Sequence, residues 1–484
     1  MMVSQLITTN QLETFSRQQI RKMERDYQRK LKSLQRQTRK YDLPVSFDNL
    51  SVTAFGSFGI LEAFKQAIDF RSMLSRVHLK RHHNCKYTDT QLLDTMIDAI
   101  SLGLLRFSHM NTLQTDPGYQ ILKDVTQVPD ESTLRNYLSL FCEQKALEQL
   151  AQVNQELLSL KAKTDKPREV WLDIDDSVIT VFGKQEGAKK GYNPRYHGRL
   201  SYKVKVAFIS GTCELVHAGL YSGNVASNGQ FMDFLKETLN ILAAQKIIVK
   251  GIRMDKGFFD EDTFTFLEEQ GIEYICKAKL TSTMRKVIKY LDEQDLWQPL
   301  SKHYSAAEIT IPLPKWAKAR RFVLIRESLE PKVIDNQLCF DLHTYDYQII
   351  VTSNDEFSPE DVWHEYNKRC NIENKIDELK VGLGFEKMSQ GEMDKNIAFM
   401  WLKVLSYNLL NWFRLALLGD EDSHAEVSTI RRKILNVPGN VVGNNRYRHI
   451  KLAPNPWLQK VLNATKERLH AFLCRQAWVA VSSG

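Results

Sequence analysis

The chain has 484 residues, of which 43% are hydrophobic and 26% carry a charge. One ordinary hydrophobic core does not grow to this length, so we expect roughly two to four domains or subdomains. The net charge of +8 is a mild basic excess. No apolar run approaches the roughly 18 residues of a membrane span, so we exclude a membrane protein and expect an ordinary soluble globular chain.

The seven cysteines are scattered along the chain, and none forms a CxxC pair. This pattern favours reduced thiols in a cytoplasmic protein and argues against a zinc site. His82 and His83 lie near Cys85, but no second ligand pair follows at zinc-finger spacing, so we interpret the histidines as surface residues. The N-terminal segment also lacks the charged and apolar regions of a secretion signal.

A long polar helix is predicted over residues 10–40. Arg17–Lys40 contains ten Lys or Arg and two acidic residues. Apolar residues recur in it every three to four positions, so a narrow apolar stripe lies under a basic face. Such a face suits a polyanion such as DNA, and a solvated helix is the equal alternative. Residues 41–57 are typical of a linker or an extended pairing segment.

Residues 61–160 show helical periodicity. Asp130 or Ser132 is the predicted N-cap of a helix that follows a turn, which resembles the second half of a helix-turn-helix. Arg135 and Asn136 would then face DNA. Plain packing of a helix pair explains the same pattern at least as well.

A polar segment at residues 161–169 contains a proline and predicts a domain boundary. Beyond it we expect three strands, a helix, a strand, a helix and a strand between residues 170 and 278. The first strand alternates, so its apolar residues share one face: Val170, Leu172, Ile174, Val178 and Phe182. Asp173 and Asp175 fall on the other face. Carboxylates inside so apolar a strand are costly unless a cation or a base neutralises them, and a wetted sheet face is the alternative.

Two later segments add candidates for the same site. Asp255 ends the fourth strand, at the edge where ligands bind in α/β sheets. A helix predicted over residues 358–382 places four side chains on one face: Tyr366, Arg369, Glu373 and Lys380. Phosphodiester displacement uses two divalent ions about 4 Å apart that share carboxylates, and Mg²⁺ takes oxygen ligands. Arg and Lys bind phosphate, so this face suits that chemistry, with an exposed amphipathic helix as the alternative.

The remaining segments complete the predicted architecture. Residues 281–350 contain three strands with turns between them and fit a small β-rich insertion. Residues 393–418 form a long helix that is apolar nearly all round, so we expect it in the core. The tail from residue 430 is basic and predicts short strands followed by a helix near residues 457–471.

The segment YNKRCNIENKIDELK, from Tyr366 to Lys380, matches the Y-(2)-R-(3)-E-(6)-K signature of insertion-sequence DDE transposases. LDIDDSV resembles the first-Asp strand of that group, and RMDKGFF resembles its second-Asp strand. The strand and helix order of residues 170–278 is similar to the ribonuclease H-like catalytic fold, and residues 281–350 are similar to the β-rich insertion of the group. The resemblance covers roughly residues 170–415.

The resemblance implies that Asp175, Asp255 and Glu373 are the catalytic residues and hold Mg²⁺ or Mn²⁺, with two ions per active site. Asp173 and Asp176 are rivals for the first position, because Asp176 stands where the family has a small or hydroxyl residue. Asp377 is the runner-up for the third. The three other signature residues would grip phosphates near the cleaved end: Tyr366, Arg369 and Lys380.

A loop after the first strand interleaves cations with Tyr192 and Tyr196, as nucleic-acid surfaces do. We expect its cations to contact DNA, with a solvated loop as the alternative: Lys189, Lys190, Arg195 and Arg199. Trp297 and Trp316 bracket the start of the insertion. Related enzymes stack a flipped base on such an aromatic side chain, but we interpret both tryptophans as core residues.

The sequence thus predicts an α/β chain in which a mainly helical N-terminal region precedes a ribonuclease H-like core with a β-rich insertion. The expected regions are a basic helix and linker (1–60), a helical DNA-binding domain (61–165), the first part of the core (166–280), the insertion (281–352), the second part of the core with the glutamate helix (353–420) and a basic C-terminal region (421–484).

The resemblance implies a transposase that binds terminal inverted repeats and catalyses cut-and-paste transposition by metal-dependent cleavage and strand transfer. We expect DNA ends and target DNA as partners, a homodimer that pairs two ends, no membrane association, and a nucleoid-associated protein of bacterial type. The alternatives are a metal-dependent DNA nuclease on the same fold and a domesticated DNA-binding protein.

Overall fold

A computed structural model of the chain describes residues 16–38, 46, 48–164, 168–329, 332–334, 337–339, 345–443 and 447–482. Within that part of the chain there are two compact units, Met1–Leu50 and Ser51–Gly484. The first contains helix α1 (Arg17–Thr38). Ile20, Tyr27 and Leu31 are half-buried in an otherwise mainly exposed helix, so the predicted apolar stripe is present. The ends of the predicted helix, before residue 16 and after residue 38, lie outside the described residues.

The second unit begins with a mainly helical region. Its elements are β1 (Val52–Thr53), a 3₁₀ turn (Gly56–Phe58), α2 (Gly59–Ala67), α3 (Phe70–Leu74), α4 (Asp89–Ser101), α5 (Phe107–Gln114), α6 (Pro117–Lys123), α7 (Glu131–Glu143) and α8 (Leu147–Thr164). Asp130 caps α7, as its sequence predicts, since its side chain accepts a hydrogen bond from the backbone N–H of Thr133 at 2.7 Å.

The α/β region follows. Its first elements are β2 (Glu169–Thr180), β3 (Lys189–Lys190), β4 (Leu200–Ile209), β5 (Leu215–Ser222), α9 (Phe231–Ala244), β6 (Ile248–Met254), a 3₁₀ turn (Lys256–Phe258), α10 (Glu261–Glu269) and β7 (Glu273–Lys277). The strands lie side by side in the order β5-β4-β2-β6-β7. The pairs β5–β4 and β4–β2 are antiparallel, whereas β2–β6 and β6–β7 are parallel. The prediction of a mixed α/β chain is therefore confirmed.

The strands of the insertion continue this sheet. The elements are α11 (Ser282–Glu293), β8 (Gln298–Pro299), β9 (Tyr304–Ile311), β10 (Arg320–Ser328), β11 (Lys332–Ile334), β12 (Gln337–Cys339) and β13 (Tyr345–Thr352). β13 pairs antiparallel with β7, and β10, β9 and β8 follow outward. Among the described residues, ten strands form one sheet, and β11 and β12 form a separate pair.

The two faces of the sheet are covered by different helices. One face packs against α9, α10 and α11 through Val170, Leu172 and Ile174 of β2. The other face packs against the N-terminal helices and the helix of residues 393–417, and there Ile179 and Val181 are buried. Val178 and Phe182, which alternation places on the same face as the first three apolar residues, differ from them in burial, since Val178 is half-buried and Phe182 is 73% exposed. The buried side of β2 changes along its length because each end meets a different helical layer.

The predicted helix over residues 358–382 is divided into three parts: α12 (Pro359–Asn367), α13 (Cys370–Asp377) and a π turn (Glu378–Gly382). Between α12 and α13 the chain tightens, because the N–H groups of Arg369 and Ile372 bond to carbonyls three residues back. The predicted N-cap is confirmed, since Ser358 accepts a hydrogen bond from the N–H of Asp361. The four signature side chains therefore do not share one straight helix face.

The remaining elements are α14 (Met393–Leu417), α15 (Asp420–Ser423), α16 (Val427–Ile430), a second π turn (Arg431–Leu435), β14 (Gly439–Gly443), β15 (Arg448–Leu452) and α17 (Pro456–Ser482). The central position predicted for α14 is confirmed by its nearly continuous burial. β14 pairs with β1, which joins the C-terminal strands to the start of this unit. Across the described helices, none has the length and apolarity required to cross a membrane.

Candidate active site

Asp175 and Asp255 lie at equivalent positions of two adjacent parallel strands. In the register of β2 and β6, Ile174 is opposite Met254, so each aspartate is the next residue on its strand. The backbone of Asp255 is still extended, so side chains continue to alternate there. Adjacent strands are about 4.8 Å apart, and the two carboxylates therefore extend from the same edge and the same face.

Asp173, a rival for the first catalytic position, already has a cation. Nε and an Nη of Arg253 donate to the two carboxylate oxygens of Asp173 at 2.7 and 2.9 Å. Arg253 is fully buried and also contacts Glu365 of α12 at 3.0 Å. This bidentate pair fixes α12 on the sheet, so Asp173 has a structural role. Arg253 lies two residues before Asp255, as Asp173 lies two residues before Asp175. Alternation therefore puts Arg253 and Asp173 on the same face of adjacent strands, and the sequence prediction did not use this signal.

Asp176, the second rival, lies on the opposite face of β2. Its Oδ2 is 3.3 Å from Nζ of Lys203. Its backbone N–H donates to Oδ1 of Asp175 at 2.8 Å, which orients that carboxylate. Asp175 has the position on β2 that corresponds to Asp255 on β6, whereas Asp176 lines the same groove as Asp255 and stays a rival for the first position.

Arg369 joins the strand carboxylates to α13. One Nη is 2.8 Å from Oδ2 of Asp175, and the other is 3.6 Å from Oε1 of Glu373. Arg369 is 5% exposed, whereas the side chain of Glu373 is 66% exposed. Asp377, the runner-up third carboxylate, is exposed one turn further along α13. One buried guanidinium thus brings the first and third predicted carboxylates together.

The site carries more negative charge than its own cation balances. Burial raises the pKa of Asp175 to about 7, although the guanidinium of Arg369 opposes this change. The neighbouring carboxylates of Asp176 and Asp255 raise it further. Oxygen donors that share an unbalanced charge suit Mg²⁺ or Mn²⁺, so the residues present fit such ions. Asp175, Asp255 and Glu373 are the predicted catalytic residues, and we use the name active-site carboxylates for this predicted set.

Tyr366 and Lys380 differ in how far they reach the site. Tyr366 is 8% exposed and packs among apolar residues of β7, β10 and β13, and burial raises its pKa above the ordinary value. Its main contacts are therefore with the core. Lys380 is half-buried in the π turn and lines the groove in front of Asp255.

The π turn is held by buried charges that the sequence reading missed. Glu378 accepts from Arg414 of α14 at 3.1 Å and from the N–H of Val427 at 2.8 Å. The buried guanidinium of Arg431 donates to the carbonyl of Gly382 and to that of Ser101 at the end of α4. These contacts place Lys380 relative to the sheet. Their partners lie far apart in the chain, so periodicity could not reveal them.

A basic groove of about 1150 Å³ passes the site. Its lining includes Arg106, Arg135, Arg195, Lys203, Lys256, Lys380 and Lys387. The acidic residues in the lining are Asp176, Asp255 and Glu386, so positive charge is in excess. A groove with this charge suits a polyanion.

The four loop cations of the sequence analysis are all exposed. Lys189 and Lys190 form β3 at the edge of the sheet, and Arg199 precedes β4. Among described residues, Arg195 is the member of this set that lines the basic groove. Arg135, the helix-turn-helix candidate, also lines it and is held by Glu131 and the ring of Phe107.

Three other carboxylates lie closer together, in the helical region. Among the residues that the structure describes, this is the group whose oxygens fall within 4.8 Å of one another: Glu62, Asp94 and Asp98. Lys65 contacts all three, and Nζ of Lys123 is 2.7–2.8 Å from each of them. The ammonium groups therefore fill the space that a metal would need. We name these five residues the closed cluster and interpret it as a buried ion-pair network.

The tryptophan and histidine predictions are confirmed. Trp297 is 7% exposed and its Nε1–H donates to Asp292 at 2.8 Å, while Trp316 packs against the aromatic rings of Phe259 and Phe264. His82 and His83 are exposed. Trp297 is a core residue, and Trp316 is half-buried and packs against the same core.

The known family and solved structures that are similar to this chain are transposases. The chain matches the family described as "Transposase DDE domain group 1" over residues 35–473. Among curated proteins, none matches. A solved structure of the piggyBac transposase synaptic complex with hairpin DNA is 11% identical, with a TM-score of 0.39, and the alignment covers 88% of this chain and 84% of that one. The Drosophila P element transposase strand transfer complex is 15% identical, with a TM-score of 0.22, and the alignment covers 44% and 42% of the two chains.

The family match spans most of the chain and includes both strands and the helix that carry the active-site carboxylates. The chain therefore belongs to the transposase DDE domain group 1 family, and it is a DDE transposase.

Proposed function

We propose that this transposase binds the terminal inverted repeats of its element and moves it by cut-and-paste transposition, using Asp175, Asp255 and Glu373 as catalytic residues. The observation that carries the proposal is the shared guanidinium of Arg369. It contacts the first and third carboxylates, while the second extends from the adjacent strand. The strand order β5-β4-β2-β6-β7, with one parallel half and one antiparallel half, supports the proposal of a ribonuclease H-like core.

Mg²⁺ or Mn²⁺ held by the active-site carboxylates, two ions per site, would supply activation of the attacking oxygen and stabilisation of the leaving oxygen. The chain's own residues prepare this site. Asp175 and Asp255 extend from adjacent strands of the sheet, and Arg369 contacts both Asp175 and Glu373. Lys380 and the other groove cations would orient the phosphates of the DNA backbone.

We assign the signature Tyr366, Arg369, Glu373 and Lys380 to the YREK group of insertion-sequence transposases, with one difference in role. Tyr366 is buried among apolar side chains, so we propose that it packs in the core beneath Arg369 and does not bind phosphate. Lys380, which lines the groove, would bind the phosphate instead. Repeat recognition would fall to residues 1–165 and to the basic region 421–484. Lys189, Lys190, Arg195 and Arg199 would contact DNA beside the groove.

A reaction that cuts and joins two ends needs both ends in one complex, so we propose a homodimer that pairs them. Because many basic side chains would contact phosphates, we expect the affinity for DNA to fall steeply as the salt concentration rises. A plain nuclease would cut without joining, and a domesticated DNA-binding protein would only bind.

The test is strand transfer of a pre-cleaved transposon end into plasmid DNA with Mg²⁺, comparing wild type with Glu373→Gln. We expect joined product with wild type, no joining with the variant, and the same binding of the end by both. Cutting without joining would favour the nuclease, and a gel shift alone would favour the DNA-binding protein. Joining that survives Glu373→Gln would move the third ligand to Asp377.

A further inference from the structure

Three aromatic rings are exposed together on the wall of the basic groove. The exposed fractions are 73% for Phe182, 77% for Tyr192 and 42% for Tyr196. All three line the same groove as Asp255 and Lys380. The rings of Phe182 and Tyr196 meet edge to face, with centroids 5.9 Å apart. Single exposed apolar side chains are ordinary on a surface, but a contiguous group of them marks a binding site.

The loop that carries these rings is anchored before any ligand arrives. Asn193 is 4% exposed, and its Nδ2 donates to Oγ1 of Thr180, at the end of β2, at 2.8 Å. Its Oδ1 accepts from the N–H groups of Arg195 and Tyr196 at 3.2 and 3.0 Å. A loop held in this way loses little conformational entropy on binding, so its rings are preorganised.

The chemistry of the wall indicates the ligand. Arg195 lies over the ring of Tyr196, with its guanidinium carbon 5.8 Å from the centroid, and the two exposed lysines of β3 precede them in the same loop region. Alternating cations and aromatic rings bind single strands, because cations contact phosphates while rings stack on base faces. A base pair inside a duplex has both faces covered by its neighbours, so an aromatic wall has nothing to stack on there.

We propose that Phe182, Tyr192 and Tyr196 form a stacking platform for unpaired bases of the DNA strand beside the cleaved bond. The inference rests on the proposed function, in that the DNA in the groove is the substrate. Thr180 is five residues beyond Asp175 on the same strand, a distance of roughly 17 Å at about 3.3 Å per residue. A strand that kept the duplex rise of about 3.4 Å per nucleotide would reach the platform about five positions from the reacting phosphate, and a more extended unpaired strand would reach it in fewer.

The test compares two DNA ends of the same sequence, one blunt and one forked by about five unpaired nucleotides at its terminus. Their binding to full-length protein is measured by fluorescence anisotropy over a range of salt concentrations. The variant combines Phe182→Leu, Tyr192→Leu and Tyr196→Leu, which removes the rings but keeps apolar volume. Tyr290→Leu is the matched control, because Tyr290 is 55% exposed on α11.

We expect wild type and Tyr290→Leu to prefer the forked end, and the triple variant to lose about tenfold in affinity for that end, equivalent to about 1.4 kcal/mol, with unchanged salt slope. A Lys189→Gln, Lys190→Gln variant should instead weaken binding of both ends and lower the slope. The unfolding midpoint of the triple variant should equal that of wild type, since the rings are exposed.

Equal losses on blunt and forked ends, or no loss at all, would overturn the platform. The strand-transfer assay run on the same two ends separates this inference from the proposed function. Suppose that wild type prefers the forked end but does not join it, and that the triple variant loses this preference. The platform then stands and the proposed function fails. If wild type joins and the triple variant keeps its preference, only the platform fails.

Discussion

The closed cluster and the active-site carboxylates are both groups of three acidic side chains, and they differ in their balance of charge. In the closed cluster, two lysines enter between the carboxylates, and no side chain of the five is more than 6% exposed. Asp175 and Glu373 share one arginine, Glu373 remains 66% exposed, and Asp255 lines an open groove.

One carboxylate of each group shows this difference, although burial raises the pKa of Asp98 within the closed cluster. Burial opposes the ionisation of Asp94, but the ammonium groups of Lys65 and Lys123 outweigh it and hold its pKa below the ordinary value. Burial raises the pKa of Asp175 to about 7, because one guanidinium is not enough to offset it. A search for a metal site by the distances between carboxylate oxygens would thus choose the closed cluster. A search by unbalanced charge chooses the active-site carboxylates instead. We therefore expect the metal site of this chain where the carboxylates have too few cationic side chains to balance their charge.

The largest expected effect is on stability. Lys65→Met removes one of the two lysines that the three buried carboxylates share and leaves their charge only partly balanced by Lys123, so the free energy of unfolding should fall by about 3–5 kcal/mol, the range for a broken buried pair. Urea unfolding measures it. Arg76→Met is the matched control, since Arg76 is 66% exposed in its pair with Glu156 and should cost about 0–1 kcal/mol. Equal midpoints for the two variants would show that the closed cluster is not a stabilising network.

The next effect is on catalysis. Asp175→Asn keeps the shape of the side chain but removes its charge. Several kcal/mol of transition-state stabilisation depend on that charge, so the rate of joining should fall roughly 10³-fold. The fall is measured as the rate of strand transfer with Mg²⁺. Asp176→Asn is the control and should retain most of the activity, because Asp176 pairs with Lys203 on the other face. The reverse result would make Asp176 the first ligand.

A smaller effect concerns pH. The pKa of Asp175 is about 7 in the folded chain, and an unfolded aspartate titrates near 4. Between these values the folded state holds a proton that the unfolded state has lost, so the contribution of Asp175 to stability falls as pH rises from about 4 to about 7. Mg²⁺ competes with that proton and should therefore stabilise the protein more at pH 7.5 than at pH 5.

Thermal unfolding of wild type and Asp175→Asn at both pH values, with and without Mg²⁺, measures this dependence. The difference in unfolding midpoint between the two proteins reports the titration of Asp175 alone, because all other titrating groups are common to both. A difference that stays constant from pH 5 to pH 7.5 would contradict the raised pKa. Asp94→Asn should leave the stabilisation by Mg²⁺ unchanged, because the closed cluster is already filled by lysines.

The smallest effect is expected at Asp377. Asp377→Asn should change the rate of joining by less than about twofold, because the exposed charge of Asp377 is screened by water, whereas Glu373 contacts Arg369. The strand-transfer assay measures it beside Glu373→Gln. A tenfold loss with Asp377→Asn would mean that the third ligand lies one turn further along α13.

The family and the strands of its core were predictable, because they depend on local signals. Period-two alternation placed Asp173 and Asp175 on one face, and spacing placed Glu373 near Arg369. Alternation could not tell which aspartate is paired, since the partner of Asp173 is Arg253, 80 residues away. The transposase prediction is confirmed by the family match, and the roles of the individual carboxylates stay predictions.

Two features of the fold were not visible in the sequence for a physical reason. No Gly or Pro marks the break between α12 and α13, which lies where Arg369 turns toward the sheet. The pairing of β13 with β7 joins strands about 70 residues apart in the chain, so local composition does not reveal that the insertion extends the sheet. Both features depend on tertiary contacts that override local preference.

The hairpin of β10 and β13 has a consequence for where this protein tolerates change. The chain leaves the sheet at Ser328 and returns at Tyr345, which are opposite each other in the register. Any segment between them has only to close the same short gap, and doubling its length costs about 0.6 kcal/mol of loop-closure entropy. At the other end, Thr352 is held against Ile275, so the path into α12 does not depend on that length. A fluorescent tag or a new module inserted between residues 329 and 345 should therefore leave the geometry of Arg369 and Glu373 undisturbed.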